Sequence, residues 1–257
     1  KAKAKAALLY DLNSDSLVFA QDIDERLFPA SLTKVMTCLL TLEMEDDLDT
    51  VVTVTKAGLK GQEPGGSNVA LKVDEQMTVR DLLYCLMVKS GNDAASVLAV
   101  HNSGSIEAFV EAMNRRAAEL GCTGTHFMNP HGLHHDYHYT TARDLATLSY
   151  EAMKNDTFKD IVRSDRHQMG ATNMQKERMI STGHRIMLKT YNGESNNYYY
   201  EYITGIKSGT TDAAGYCYVG AAEKDGVELI SVVLYSDRYN VWRDTKKLFE
   251  YGFSQYT

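Results

Sequence analysis

Two kinds of periodicity are segregated along this chain, and their order limits the folds open to it. Apolar stretches at residues 6–11 and 16–20 flank the turn cluster Asn13-Ser14-Asp15 and predict a β-hairpin. Tyr202–Lys207, Tyr216–Glu223 and Val227–Tyr235 read as three more strands, and Asp225-Gly226 is a tight hairpin turn between the last two. Helical spacing dominates between these ends. Pro29 precedes a glycine-free apolar run from Ser31 to about Glu45, with Ser31 at or just inside the helix start. Val79, Leu82, Leu83, Leu86 and Met87 mark one face of a second helix, which ends at Ser90-Gly91. A third starts near Asp93 and runs to about Val100, and a fourth covers Ile106–Leu120 before Gly121. The capping-box pattern from Thr141 to Asp144 opens a fifth, expected to reach about Asn155. A last helix is expected over about Tyr239–Tyr251.

Three features lie outside this pattern. Val51–Thr55 is strand-like, 58–68 is a glycine-rich loop containing Pro64, and 156–200 is polar and mixed, expected as short strands and loops. Early and late strands can pair into one antiparallel sheet carrying helices on its faces, an α/β (α+β) arrangement. The expectation is a single unit over residues 1–257, its sheet drawn from about 1–30 and 200–257 and its helical lobe from about 60–155.

Composition removes some functions and selects none. A net charge of -7 argues against a nucleic-acid partner, which requires a basic face. No apolar run reaches the roughly 18 residues a spanning helix needs. No leader is visible at Lys1, where the chain enters a strand-like stretch almost at once. The four cysteines, Cys38, Cys85, Cys122 and Cys217, form no C-x-x-C pair and are expected as buried free thiols.

Three short motifs stand in order: Ser31-Leu32-Thr33-Lys34, Ser90-Gly91-Asn92 and Lys207-Ser208-Gly209. Together they match the set associated with serine acyl-transfer on penicillin-recognising folds. Positions i and i+3 share a helix face, so Lys34 can reach the Ser31 hydroxyl. Serine is a poor nucleophile without an adjacent base, and lysine serves when burial and a second cation lower its pKa. Lys207 is the candidate for that cation. A serine at a helix start also offers its backbone N–H as half of an oxyanion hole. Gly209 would let a peptide backbone lie close against a strand edge.

Taken singly the motifs are weak. Roughly one Ser-x-x-Lys match is expected by chance in such a length. Ser195-Asn196-Asn197 repeats the second motif, but in a polar loop ten residues before Lys207. Ser31 alone would pass for an N-cap, Ser90-Gly91-Asn92 for a cap between helices, and Lys207 for a solvated strand end. Their order, each on a suitable element, outweighs those readings.

The surrounding residues extend the match. Pro29 to Thr37 (PASLTKVMT), Asp81-Leu82-Leu83-Tyr84 followed by Ser90 to Ala95 (SGNDAA), Asn129 to Leu133 (NPHGL) with Tyr139 to Ala142 (YTTA) and Asp144 to Ala146 (DLA), and Gly205 to Thr211 (GIKSGTT) with Ala214 to Cys217 (AGYC) cover nearly the whole chain. In this combination the sequence resembles the low-molecular-mass penicillin-binding proteins, the serine D-Ala-D-Ala carboxypeptidases. The resemblance implies a penicillin-binding protein/serine β-lactamase-like fold, a five-stranded antiparallel sheet flanked by helices plus a helical lobe. It implies removal of the terminal D-alanine from peptidoglycan stem pentapeptides through an acyl-enzyme, and acylation by β-lactams. Ser31 would be the nucleophile, Lys34 the base, Ser90 the proton relay and Asn92 a hydrogen-bond partner of the substrate backbone. Lys207 would supply charge near Ser90 and the substrate carboxylate, which Ser208 and Thr210 would also contact beside Gly209. The N–H groups of Ser31 and Thr210 would form the oxyanion hole. No cofactor and no metal are implied.

The sequence departs from that pattern in places. Ser208 stands where threonine is commoner, and residues 71–78 lack a usual glycine. Many relatives continue past the segment matching Lys247–Phe253 into a β-rich domain and a membrane-associating tail. Membrane association is therefore expected only through such segments, and an extracytoplasmic location from the implied substrate alone. Arg238 and Arg243 are both candidates for an arginine that meets the substrate carboxylate.

Other readings remain in view. A transpeptidase or endopeptidase would share every motif. A β-lactamase would need a deacylating glutamate, and Glu151-Ala152-Met153-Lys154-Asn155 lies about 60 residues past Ser90, too late for that loop. His131, His134, His135 and His138 crowd one loop with Asp136, which would suit zinc, but no His-Glu-x-x-His pattern exists. A non-catalytic sensor could use the fold, and the intact trio argues against it. Tyr198-Tyr199-Tyr200 is expected as a packed strand edge, with a substrate-groove wall as the alternative.

Overall fold

A computed structural model describes residues 1–256. Strands β1 (Ala6–Asp11) and β2 (Ser16–Gln21) form the expected hairpin, and a 3-10 turn at Ala30–Thr33 leads into α1 (Lys34–Met44). The short strand β3 (Val51–Thr53) pairs with β4 (Gln76–Thr78), a partner the sequence did not signal. Helices α2 (Val79–Val88), α3 (Asn92–Ser103), α4 (Ile106–Glu119), α5 (Ala142–Ala152) and α6 (Asp156–Val162) follow. Two small hairpins come next, β5 (Arg166–Met169) with β6 (Arg178–Ser181) and β7 (Thr190–Tyr191) with β8 (Glu194–Ser195). Strands β9 (Ile203–Thr211), β10 (Gly215–Lys224) and β11 (Val227–Ser236) precede α7 (Asn240–Ser254).

Side-chain caps fix the helix starts. Thr78, Ser105 and Thr141 each accept the backbone N–H three residues on, at 3.1 Å. Only half of the expected capping box forms at Thr141. The Asp144 carboxylate turns instead to the Gly124 N–H at 2.9 Å and the Thr125 hydroxyl at 2.7 Å. The fifth helix also stops earlier than its pattern suggests, because Asn155 caps α6 by accepting the Phe158 N–H at 3.0 Å. The polar stretch expected as strands and loops therefore opens with a helix. Its apolar signal is only Phe158, Ile161 and Val162, too short to show a period. Tyr198–Tyr200 lies in a loop rather than at a strand edge, although Tyr200 is buried.

The antiparallel sheet has the order β2-β1-β11-β10-β9. Asp225 and Gly226 both take positive φ, the conformation of a two-residue hairpin turn whose twist suits its strands. One face of the sheet joins the larger core through Leu8, Val219, Ile230 and Val232, against α5 and, at β9, α1 and α6. The other face buries Leu9, Tyr218, Leu229 and Val233 under Trp242, Phe249 and Phe253 of α7. Each such side chain contributes roughly 1.5–3 kcal/mol by leaving water. Burial on both faces explains why β11 reads as an apolar run instead of an alternation. All four cysteines are buried free thiols, as expected. Among the described residues no helix is long and apolar enough to cross a membrane. Strand β9 stands at a sheet edge, with the Ala30–Thr33 turn packed beside it.

Candidate active site

The first two motifs converge on one ammonium group. Lys34 is fully buried, and its Nζ donates to Ser31 Oγ at 2.9 Å, Ser90 Oγ at 3.0 Å and Asn92 Oδ1 at 2.7 Å. Three donors meet three neutral acceptors, with no carboxylate among them. Burial holds the Lys34 pKa well below the usual lysine range, and the charge of Lys207 pushes the same way. Asp93 opposes them, but its carboxylate is engaged by the backbone N–H groups of Val69 and Leu71. A neutral Lys34 has a free lone pair in hydrogen-bond reach of two hydroxyls, which is the requirement for a general base.

The route by which Ser31 reaches Lys34 differs from the expectation. Ser31 lies in the 3-10 turn before α1, and Lys34 is the first α-helical residue. Side chains three apart eclipse in a 3-10 turn, so the pair is at least as close as on an α-helix. Ala30 enters this turn at φ 48°, a left-handed conformation worth roughly 1–3 kcal/mol of strain. The loop at 129–138 holds it in place. Thr37 Oγ1 donates to the Pro130 carbonyl at 2.6 Å. Gly132 packs so closely on the Ala30 carbonyl that a Cβ there would collide with it. Ser90, at φ 60°, is a second left-handed residue, poised between α2 and α3. The Asn92 N–H bonds the Ser67 carbonyl at 2.8 Å, tying the glycine-rich loop beside the site.

The third motif supplies the opposite wall. Side chains alternate along β9, so Lys207 and Gly209 share the face toward the Ser31 turn, while Ser208 and Thr210 face the other way. Lys207 is buried, which lowers its pKa to about 7, and its Nζ donates to the Ser208 carbonyl at 2.8 Å. That bond does not go to Ser90; Lys207 acts on the pair through its charge. A Cβ on Gly209 would lie 2.6 Å from the Ser31 nitrogen and 3.1 Å from the Leu32 nitrogen. The space kept open by Gly209 therefore admits the backbone of the Ser31 turn. The Ser208 N–H donates to His184 Nε2 at 3.2 Å. Backbone N–H groups alternate with period two, so the Thr210 N–H points to the same unpaired edge. The Thr210 N–H is thus left outside the β9–β10 ladder, on the strand edge beside the Ser31 turn.

The histidine-rich loop is engaged internally. His138 Nδ1 accepts the Met128 N–H at 2.9 Å, which leaves Nε2 protonated to donate to Thr33 Oγ1 at 2.7 Å. His131 Nδ1 accepts the Leu133 N–H at 3.2 Å. Burial drives the pKa of each down to about 3. Among the described residues no group of three or more His, Cys, Asp or Glu is arranged to hold a metal. Glu151 pairs with Lys154 and Arg116 on the outer surface of α5. Sequence reasoning missed His184 and the buttressing roles of Thr37, Gly132 and His138; only the tight 129–133 motif hinted at them.

Comparison with known proteins agrees with this geometry. Residues 1–238 match the sequence family described as D-alanyl-D-alanine carboxypeptidase. The chain belongs to that family. Among D-alanyl-D-alanine carboxypeptidases it is 32% identical to DacF of Bacillus subtilis over 260 residues, 99% of this chain and 63% of the relative. It is 34% identical to DacC of Escherichia coli over 259 residues, 97% of this chain and 61% of the relative. The chain therefore spans about three-fifths of the length of these relatives. The crystal structure of the DD-transpeptidase of Streptomyces strain K15 superposes with a TM-score of 0.87 at 28% identity, covering 99% of this chain and 98% of that one. The fold is thus that of the penicillin-binding DD-peptidases, as the resemblance implied.

Proposed function

We propose that the chain is a serine-type D-Ala-D-Ala carboxypeptidase that removes the terminal D-alanine of peptidoglycan stem pentapeptides, acting outside the cytoplasmic membrane. The observation that carries this reading is the buried Lys34 amine, in hydrogen-bond reach of Ser31, Ser90 and Asn92 with no carboxylate bonded to it. Ser31 Oγ attacks the carbonyl of the penultimate D-alanine as its proton passes to neutral Lys34 Nζ. The Ser31 and Thr210 amides receive the developing oxyanion. Lys34 passes the proton through Ser90 Oγ to the leaving nitrogen, the C–N bond breaks, and D-alanine departs with its amine protonated. Water then attacks the ester, gives a proton back along the same path, and Ser31 is regenerated. Asn92 Nδ2, left free by the Oδ1 bond to Lys34, donates to the substrate backbone. Lys207, Ser208 and Thr210 meet the terminal carboxylate. β-Lactams enter by the same attack, with ring opening in place of departure.

Acylation with intact penicillin followed by mass spectrometry tests this. A single adduct on Ser31 is expected, with none on Ser31→Ala. An unmodified parent chain, or an equal adduct on the variant, sinks the reading. Transfer to an amine is the second reading, supported by the likeness to the Streptomyces DD-transpeptidase. Release of D-alanine from a D-Ala-D-Ala tripeptide in water alone favours hydrolysis; product formed only when an amino acceptor is added favours transfer.

A further inference from the structure

Register places a second feature beside the groove. Thr210 pairs with Tyr216, and Tyr216 with Ser236, so Arg238 stands at the Thr210 end of the sheet. Ser208 pairs with Tyr218, which packs edge-on against Trp242 at 5.0 Å. Paired residues share a sheet face, so the Ser208 and Thr210 hydroxyls point to the α7 side. His184, which receives the Ser208 N–H, is followed at once by Arg185.

On that side lies a cavity of about 530 Å³ whose wall includes Arg185, Arg238 and Arg243. The three guanidiniums are threaded between tyrosine rings. Arg185 sits 4.3 Å from the Tyr191 centroid and 4.6 Å from that of Tyr198, Arg243 lies 5.7 Å from Tyr198 and 5.9 Å from Tyr239, and Arg238 lies 5.0 Å from Tyr239. Stacking occupies guanidinium faces and leaves the N–H edges, the part that grips a carboxylate. Among the described residues these three form no ion pair, a lack they share with Arg26, Arg115, Arg163 and Arg166, but only these three meet in the wall of this cavity. Arg185 Nε is buried without a hydrogen-bond partner. The acidic groups nearby offset the cluster only in part: Arg243 acts on the Asp237 carboxylate through its charge, without an ion pair. Glu194 is the one carboxylate in the cavity wall, and the Asp237 carboxylate accepts from Tyr239 and Asn240. In a chain of net charge -7, three unpaired arginines around one cavity mark a site for an anion.

We propose that this cavity is a leaving-side subsite for a second carboxylate, one carried on the side chain or peptide extension of the departing D-amino acid, with Arg185 as its specificity-determining residue. The inference rests on the proposed function, because the leaving residue is what lies against Ser208 and Thr210. It goes further in substrate class: peptides whose departing residue is itself anionic are preferred over neutral ones of equal size. A cross-linked stem, whose departing strand carries further carboxylates, fits that description.

Three acyl peptides ending in D-Ala-D-Ala, D-Ala-D-Glu and D-Ala-D-Gln separate the claims. Glutamate and glutamine match in size, so their kcat/KM ratio isolates the charge. A ratio of roughly 10 or more is expected, the worth of one charge-assisted hydrogen bond. It should shrink with added salt and fall toward 1 in Arg185→Gln, while Arg185→Lys, which keeps charge but not the fork, falls between. Thermal melts exclude a folding defect in the variants, and Arg243→Gln should lower the same ratio if Arg185→Gln proves unstable. A parental ratio near 1, or a high ratio that survives both glutamine substitutions, overturns the subsite and leaves the peptidase standing. No turnover of any peptide and no penicillin adduct would remove both readings together.

Discussion

Replacing Gly209 with alanine tests how the groove is built. Gly209 does not adopt a left-handed φ, so alanine adds no backbone strain and its cost is steric. The new Cβ would stand 2.6 Å from the Ser31 nitrogen, against 3.4 Å for the start of ordinary contact, and Leu32 N and Ala30 Cβ lie at 3.1 and 3.2 Å. None of these atoms is the end of a flexible side chain. Strand and turn must therefore separate by about 0.8 Å, the gap between those two distances. The amide displaced is the proposed oxyanion donor, and a misplacement of ~1 Å in a catalytic constellation costs up to ~10²-fold. Overpacking costs about 1–3 kcal/mol, or a few degrees in melting temperature for a chain of this size. Stopped-flow acylation with a fluorescent penicillin should slow by roughly 10–10²-fold in a variant that remains folded. Gly170→Ala, whose φ is not left-handed and whose new Cβ would meet nothing closer than 3.9 Å, supplies the control. If folded Gly209→Ala acylates within about threefold of the parent, the contact has no catalytic consequence and the argument fails.

Lys34→Met keeps the stem and removes the base; acylation should fall by ~10²–10⁴-fold with Ser31 still in place, and near-parental adduct formation would exclude Lys34 as the base. Lys207, with its pKa lowered to about 7 by burial, is charged below that pH and neutral above it. Acylation by carboxylate-bearing penicillins should decline above about pH 7, and Lys207→Arg should move that limb upward; a flat profile to pH 9 contradicts the role. His131 and His138 stay neutral in the folded chain down to about pH 3, well below the usual value of 6.5. Between those values the unfolded chain takes up protons the folded chain refuses. Their contribution is therefore complete above pH 6.5 and is lost as pH falls, by up to about 1.4 kcal/mol per unit for each histidine. Urea unfolding between pH 6.5 and 5 should show that slope, reduced in His138→Gln; identical midpoints across the range would refute it.

What was legible in the sequence followed from local pattern. The Asn13–Asp15 and Asp225-Gly226 turns fixed two hairpins, and the spacing of Leu82, Leu83, Leu86 and Met87 fixed α2. Ser31, Lys34, Ser90 and Asn92 were legible as a set because three motifs had to be explained at once. What was hidden depends on partners far along the chain. No local signal tells that Gly209 faces Ser31 or that His138 serves Thr33, 105 residues away. Nor does one show that His184 closes the edge at Ser208. The 3-10 turn at Ser31 escaped notice because residues 31–45 read as one helix, and the turn is imposed by the 129–133 loop pressing on Ala30.

The Lys34 web has a consequence for how this protein can be observed. Its acceptors come from the Ser31 turn and from the α2–α3 junction, 56 to 58 residues from Lys34, while the Gly209 wall arrives with β9 near the other end of the chain. No fragment and no partly docked intermediate holds all of these together. On the proposed mechanism, covalent labelling by penicillin would therefore count finished molecules: the fraction that takes up one equivalent would be the fraction in which β9 has closed against the Ser31 turn.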